Sequence, residues 1–147
     1  MDAGDFSPTN GFPVVFIFVN SGKSPAKNVT FSNMFLNIDH RVSGPNENQI
    51  KQLIQTPVND IAPQGKLREN IGRIFPGGDV TAARLQGQKY LVGQYQQISD
   101  GTEFLYYYGR VEYDDIFHTR HHTDYCMIIV DAKTKATGFC DKFNDIN

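Results

Sequence analysis

The predicted fold rests on the stretch VVFIFVNSGKSPAKNV, residues 14–29, in which an apolar run stops at a polar turn. Asn20 and Gly22 tolerate positive φ, and Pro25 cannot donate a hydrogen bond to a neighbouring strand, so the polar segment is typical of a turn. A second β-rich run starts at once and continues to residue 38. The stretch therefore predicts two neighbouring strands of an antiparallel β-sandwich, at 14–19 and at about 27–38.

The middle of the chain predicts a short helical insertion near 46–75. Asn46 is a suitable N-cap, because apolar residues follow it at helical spacing. Leu67, Ile71 and Ile74 have a similar spacing, although the glycines among them weaken a helix. The insertion is therefore predicted as helical, with its second half ambiguous.

The rest of the chain predicts mostly strands. After a Pro76-Gly77 turn, residues 79–85 predict a strand and residues 87–98 a short helix. Residues 104–117 predict a long strand, in which Gly109 marks a bulge or a close approach.

A hairpin is predicted from the apolar run at 125–130 and the returning segment at 139–143, with its turn about Lys133. Alternation along the C-terminal strands assigns their inner face, and we expect that face to lie opposite residues of the first strand. A shift of one residue would exchange the faces of a strand. The predicted inner-face residues are Tyr107, Val111, Tyr113, Met127 and Ile129, opposite Val15, Ile17 and Val19.

Length and composition indicate one domain. The chain has 147 residues, which fits a flexible lead-in at 1–12 and a single β-sandwich domain at 13–147. The net charge is −2 and the basic residues are scattered, which argues against nucleic-acid binding. No apolar run approaches the length of a membrane-spanning helix.

A histidine cluster is the sharpest candidate for a chemical site. His118, His121 and His122 lie close to Asp115 and Cys126, and these side chains include the ligands that zinc or copper prefers. Their spacing matches no helical histidine pair or paired-cysteine motif, and adjacent strand residues point to opposite faces. A solvated loop is the favoured interpretation, and a metal-binding domain or metal-dependent enzyme is the alternative.

The chain has two cysteines, Cys126 and Cys140, and the predicted hairpin places them opposite each other. Opposed Cβ atoms lie about 4.5–5.5 Å apart, wider than a disulfide prefers, so a bridge needs local adjustment. An oxidising compartment favours the bridge. The alternative is two reduced cysteines that act as small hydrophobic residues.

Aromatic rings occur on both faces of the strand predicted at 104–117. If one face forms the core, Tyr106 and Tyr108 on the other form an exposed platform for a sugar, a peptide or a protein partner. The favoured alternative is that both faces are covered.

Several motifs resemble those of a widespread group of uncharacterised bacterial proteins. The shared pattern is Asn-x-Gly-x-x-Pro-Ala-x-Asn-Val, a Pro-Gly turn, Tyr-Gly-x-Val-x-Tyr-x-Asp-x-Phe and an aromatic-Cys strand. The resemblance implies an immunoglobulin-like sandwich outside the cytoplasmic membrane, preceded by one or two membrane helices. His118 stands where a glycine is common in that group. The matching residues are Asn20, Gly22, Pro25, Ala26, Asn28, Val29, Pro76, Gly77, Tyr108, Gly109, Val111, Tyr113, Asp115, Phe117, Tyr125 and Cys126.

The functional expectation is a non-enzymatic interaction or accessory domain of a membrane-anchored extracytoplasmic protein. The resemblance implies the location and the anchor, whereas the residues alone leave a cytoplasmic location open. A protein partner is expected, and no cofactor is expected apart from the zinc or copper alternative. The remaining alternative is a structural spacer.

Overall fold

A computed structural model of the chain describes residues 2–3, 14–55, 60–61, 67–85, 95–131 and 136–145. The protein is mainly β, as predicted. Most of the predicted lead-in, residues 87–94 of the predicted helix and the turn about Lys133 lie outside the described residues. The elements are β1 (Asp2–Ala3), β2 (Val14–Val19), β3 (Ala26–Ile38), α1 (Glu47–Gln55), β4 (Asp60–Ile61), β5 (Leu67–Ile74), β6 (Asp79–Leu85), α2 (Tyr95–Ser99), β7 (Phe104–Asp114), β8 (Arg120–Asp131) and β9 (Ala136–Phe139).

Six strands form the larger sheet, in the order β4-β5-β3-β7-β8-β9, with antiparallel pairing throughout. β3, β7 and β8 are its long central strands. β8 and β9 form a hairpin in the predicted register, in which Met127 lies opposite Phe139. The returning strand was misplaced, because β9 ends at residue 139, where the predicted segment 139–143 begins. In the described part of the chain, neither helix is long and apolar enough to cross a membrane.

The smaller sheet has the order β1-β2-β6. β2 therefore pairs with β6, and the two strands of the opening stretch belong to different sheets. The sheets meet where Phe18 of β2 contacts Phe31 of β3, with ring centroids 5.0 Å apart. The strand predicted at 79–85 is confirmed as β6.

The helical insertion is shorter than predicted. Asn46 caps α1 as expected: the Gln49 amide donates to Asn46 Oδ1 (2.9 Å), and the Asn46 amide donates to Gln49 Oε1 (2.8 Å). The prediction was wrong for residues 67–74, which form strand β5. Register shifts against β3 interrupt the alternation of β5, and the resulting spacing of Ile71 and Ile74 imitates a helix.

One face of the larger sheet packs against β2 and α2. Phe31, Phe35, Leu105, Tyr107 and Ile129 form its buried core with Ile98 of α2. Phe18 packs against this core, whereas Ile17 and Val19 are 47% and 63% exposed. The predicted parity is therefore right for Tyr107 and Ile129 and wrong for Ile17 and Val19. The run VVFIFV has no polar alternation that could have fixed its face.

The opposite face is also covered. Leu53 of α1 packs there against Met34, Tyr106 and Ile128. Phe143 belongs to the segment that follows β9, residues 140–145, which we call the C-terminal segment, and it packs against the same cluster. Both faces of the central strands are consequently buried along this half of the sheet.

Candidate functional site

Three connections lie side by side at one end of the larger sheet. They are residues 20–25 between β2 and β3, residues 75–78 between β5 and β6, and residues 115–119 between β7 and β8. Strand pairing aligns them, because Ala26 lies opposite Ile74 and Lys27 lies opposite Asp114. We call these three connections the loop end.

Asn20 holds two of these connections together. Its side-chain amide donates to the Ser24 carbonyl (2.8 Å) and to the Ile74 carbonyl (3.0 Å), while its Oδ1 accepts the Gly22 amide (2.9 Å). Its backbone carbonyl accepts the Gly77 amide (2.9 Å). The asparagine that opens the predicted turn therefore links the two places where the chain passes between the sheets.

Asp115 organises the third connection. Its carboxylate accepts the amides of Phe117 (2.8 Å) and Thr119 (2.9 Å) and lies 2.8 Å from His121 Nε2. The hydrogen bond to His121, followed by that to the Thr119 amide, lowers the pKa of Asp115. His118 completes the turn with a φ of 63°, which explains why a glycine suits this position.

A cleft of about 650 Å³ opens between these connections and the sheet. Its wall combines apolar side chains from both sheets with the polar 20–25 connection, and Asp115 lies at its edge. A concave apolar surface with few polar groups is the usual form of a binding site. The residues that line the cleft include Phe18, Lys23, Val111, Tyr113, Thr123 and Tyr125.

Tyr125 forms the back of the cleft. Its hydroxyl donates to Asn33 Oδ1 across β7 (2.5 Å), and its ring stacks on Phe31 with centroids 6.2 Å apart. Gly109 lies between them in the sheet, where a Cβ would collide with the Tyr125 ring and with the Ser32 carbonyl. The predicted close approach at Gly109 is thus confirmed. Burial raises the pKa of Tyr125, so its hydroxyl remains a neutral donor.

The three histidines of the predicted cluster do not converge. His121 pairs with Asp115 and stacks on Tyr113, whereas His122 Nε2 lies 3.7 Å from Asp124 Oδ2 on the opposite face of β8. Within the described ranges, no three His, Cys, Asp or Glu side chains are arranged to hold a metal ion.

Asp124 has a structural partner instead. It is buried, and its carboxylate oxygens accept two bonds from Arg110, at 2.6 and 2.9 Å. Arg110 lies directly opposite it on β7. This paired arrangement satisfies a charge that would be costly to bury alone.

Tyr106 and Tyr108 do not form the exposed ring platform. They are only 2% and 1% exposed, because α1 and the C-terminal segment cover their face of β7. The Tyr106 hydroxyl accepts the Val42 amide (3.0 Å), and the Tyr108 hydroxyl donates to Met34 Sδ. Burial also raises the pKa of Tyr108. The alternative interpretation, in which both faces of this strand are covered, is therefore right for these two tyrosines.

Cys126 and Cys140 are joined by a disulfide, with their Cα atoms 5.3 Å apart. The bridge ties the C-terminal segment to β8. Beyond it, Asn144 Oδ1 accepts the Cys126 amide (2.9 Å), and the Asp145 carbonyl accepts the Asp124 amide (2.7 Å). Cys126 is therefore a structural residue in this state and not a free nucleophile.

The cleft could not be predicted from the sequence, although several of the residues around it belong to predicted motifs. The 20–25 turn, Tyr113 and Asp115 all appeared in the predicted motifs, but their meeting depends on strand order. A glycine directly after three tyrosines in a strand was the one local signal that a large side chain lies across it.

These features define a mainly β protein with a cleft at one end of its larger sheet. No family model matches the chain, and neither a curated protein nor a solved structure matches it. The geometry of the cleft is consequently the main guide to function.

Proposed function

We propose that the chain is a non-enzymatic interaction module, an immunoglobulin-like β-sandwich on a membrane-anchored extracytoplasmic protein, which binds its partner at the cleft. The observation that carries the binding role is the cleft of about 650 Å³ between the loop-end connections. The contact between Phe18 and Phe31 supports a sandwich arrangement of the two sheets. The disulfide supports an oxidising compartment.

The chemistry around the cleft suits binding better than catalysis. Asp115, its main carboxylate, already accepts two backbone amides and the His121 imidazole. The Tyr125 hydroxyl is committed to Asn33. These groups fix the shape of the cleft, while Phe18, Val111 and Tyr113 supply apolar contact area.

A dye titration tests whether the cleft binds ligands. Anilinonaphthalene sulfonate combines apolar rings with one negative charge, so it suits an apolar wall beside Lys23. We expect saturable fluorescence enhancement with one dye per chain. Thr123→Phe fills the cleft and should abolish the enhancement.

Thr137→Phe is the matched control, because Thr137 is exposed on β9 and outside the cleft lining. It should bind dye like the original protein, and near-ultraviolet circular dichroism should show that both variants are folded. Absence of binding by the original protein, or equal loss in both variants, would contradict the proposal. The spacer interpretation would then replace it.

A further inference from the structure

We infer that the rim of the loop end docks on an anionic lipid surface. The rim consists of the exposed side chains of Val19, Lys23, Arg73, Phe75, Ile116 and Phe117. The rim shares Val19 and Lys23 with the wall of the cleft, but docking on lipid does not require an occupied cleft.

Large apolar side chains project from the rim. Phe117 is 79% exposed and Phe75 is 60% exposed, and they belong to two different connections at the same end of the sheet. Ile116 and Val19 are also exposed there. Surface exposure of several large apolar groups in one region marks an interaction site.

Because the strands that carry these side chains are neighbours, the side chains can contact one flat surface together. β5, β3 and β7 are consecutive in the sheet, and neighbouring strands lie about 4.8 Å apart. Ile74, next to Phe75, lies opposite Ala26, and Lys27 lies opposite Asp114 at the start of the third connection. The exposed rings of Phe75 and Phe117 can therefore reach one flat surface together.

Basic side chains accompany the apolar ones. Among the described residues, Lys23, Lys27 and Arg73 make no ion pair, and the Arg73 guanidinium lies 5.9 Å from the centroid of the Phe75 ring. Two carboxylates at this end are engaged, Asp114 by Asn28 and Arg120, and Asp115 by His121, while Asp79 lies opposite Val19 in the strand register. The rim therefore combines basic side chains with apolar tips, the combination that attracts a protein to an anionic membrane surface.

Vesicle sedimentation of the full chain tests this inference. Vesicles would contain phosphatidylcholine alone or phosphatidylcholine with about one-third phosphatidylglycerol. We expect binding to the anionic vesicles, weakened by added salt. Lys23→Gln and Arg73→Gln should each lower the partition coefficient about fivefold. Lys51→Gln, at an exposed position of α1, is the control that should leave it unchanged.

The apolar contribution has its own matched control. Phe117→Ala and Phe75→Ala should each lower the partition coefficient about fivefold or more. Phe139→Ala should leave it unchanged, because Phe139 is 75% exposed on β9, away from the rim.

Fluorescence can show which part of the protein touches the lipid. The chain contains no tryptophan, so Phe117→Trp introduces a single reporter. Its emission should shift to the blue with anionic vesicles, and that of Phe139→Trp should not. Absence of binding at millimolar lipid, or an equal response of the rim and Phe139 variants, would overturn the inference. Binding to polyglutamate without vesicle binding would also overturn it and indicate an acidic protein partner.

Discussion

Gly109 shows how one residue governs the back of the cleft. The Tyr125 ring lies across the space where a Cβ would stand, and its hydroxyl reaches Asn33 on the next strand. The sequence could indicate a close approach here, because a glycine interrupts a run of bulky strand residues. It could not identify the side chain that approaches, because Tyr125 belongs to another strand.

Gly109→Ala should lower the free energy of unfolding by about 3 kcal/mol, because neither the Ser32 carbonyl nor the Tyr125 ring can move freely. Urea unfolding followed by circular dichroism measures the loss. Combining it with Tyr125→Ala should cost less than the sum of the two single changes. Strict additivity of the two changes would contradict the contact.

His118 is the second informative residue, because it is exposed and has a φ of 63°. A left-handed backbone is costly for a residue with a Cβ, and glycine removes that cost at the expense of a more flexible unfolded chain. His118→Gly should therefore raise the free energy of unfolding by about 0.5 to 1 kcal/mol in a urea titration.

His40→Gly is the control for this substitution. His40 is also exposed, but it is not among the described residues with positive φ. Its replacement should lower stability by up to about 1 kcal/mol. If zinc stabilised the original protein and His118→Gly removed that effect, His118 would be a ligand and the turn-building role would be wrong.

At the scale of elements, the sequence predicted a helix or a hairpin correctly where both its apolar pattern and its cap or turn were present. Asn46 and the apolar spacing after it predicted α1, and the hairpin register predicted that Cys126 faces Cys140. β5 was misassigned because its register shifts disturb the alternation by which a strand is recognised. The faces of β2 were exchanged because every residue of that strand is apolar.

The C-terminal segment should behave as a unit that the disulfide holds on β8. The amides of Asp124 and Cys126 donate to this segment. Because successive backbone amides of a strand point to opposite neighbours, the Tyr125 amide points to β7 instead. Cys126→Ser with Cys140→Ser should therefore raise hydrogen exchange at 124 and 126 by about a hundredfold, as measured by NMR, because a bridge closing a short loop contributes about 3 kcal/mol.

The Tyr125 amide is the internal control and should remain protected from hydrogen exchange in the double serine variant. An equal increase in the exchange rates of the amides at 124, 125 and 126 would mean that the whole sheet opens together. That outcome would contradict an independently held segment.

The contribution of the 115–119 turn to the free energy of unfolding should depend on pH. The pKa of Asp115 is lowered from 3.8, so its contribution to stability is present above that value and is lost as the pH falls through the folded-state pKa. The stability difference between the original protein and Asp115→Asn should be largest at neutral pH and shrink below about pH 4. Urea titrations across this range measure it, and a constant difference would contradict the stabilising role of the charge.

At the scale of the whole molecule, binding is assigned to the loop end because both faces of the central strands are covered elsewhere. The sequence suggested the turns of this end one by one. Their assembly into a cleft required the order β5-β3-β7-β8 and the crossing of the chain between two sheets, and local patterns do not encode strand order.

Chemical-shift mapping by NMR shows whether the loop-end cleft is the binding site of this protein. The labelled chain would be titrated with a library of monosaccharides, aromatic acids and short peptides. We expect the fragments that bind to shift amides at 20–26 and 111–125, and we expect Thr123→Phe to remove those shifts. Shifts confined to α1 or β9, or no shift at millimolar fragment, would contradict it.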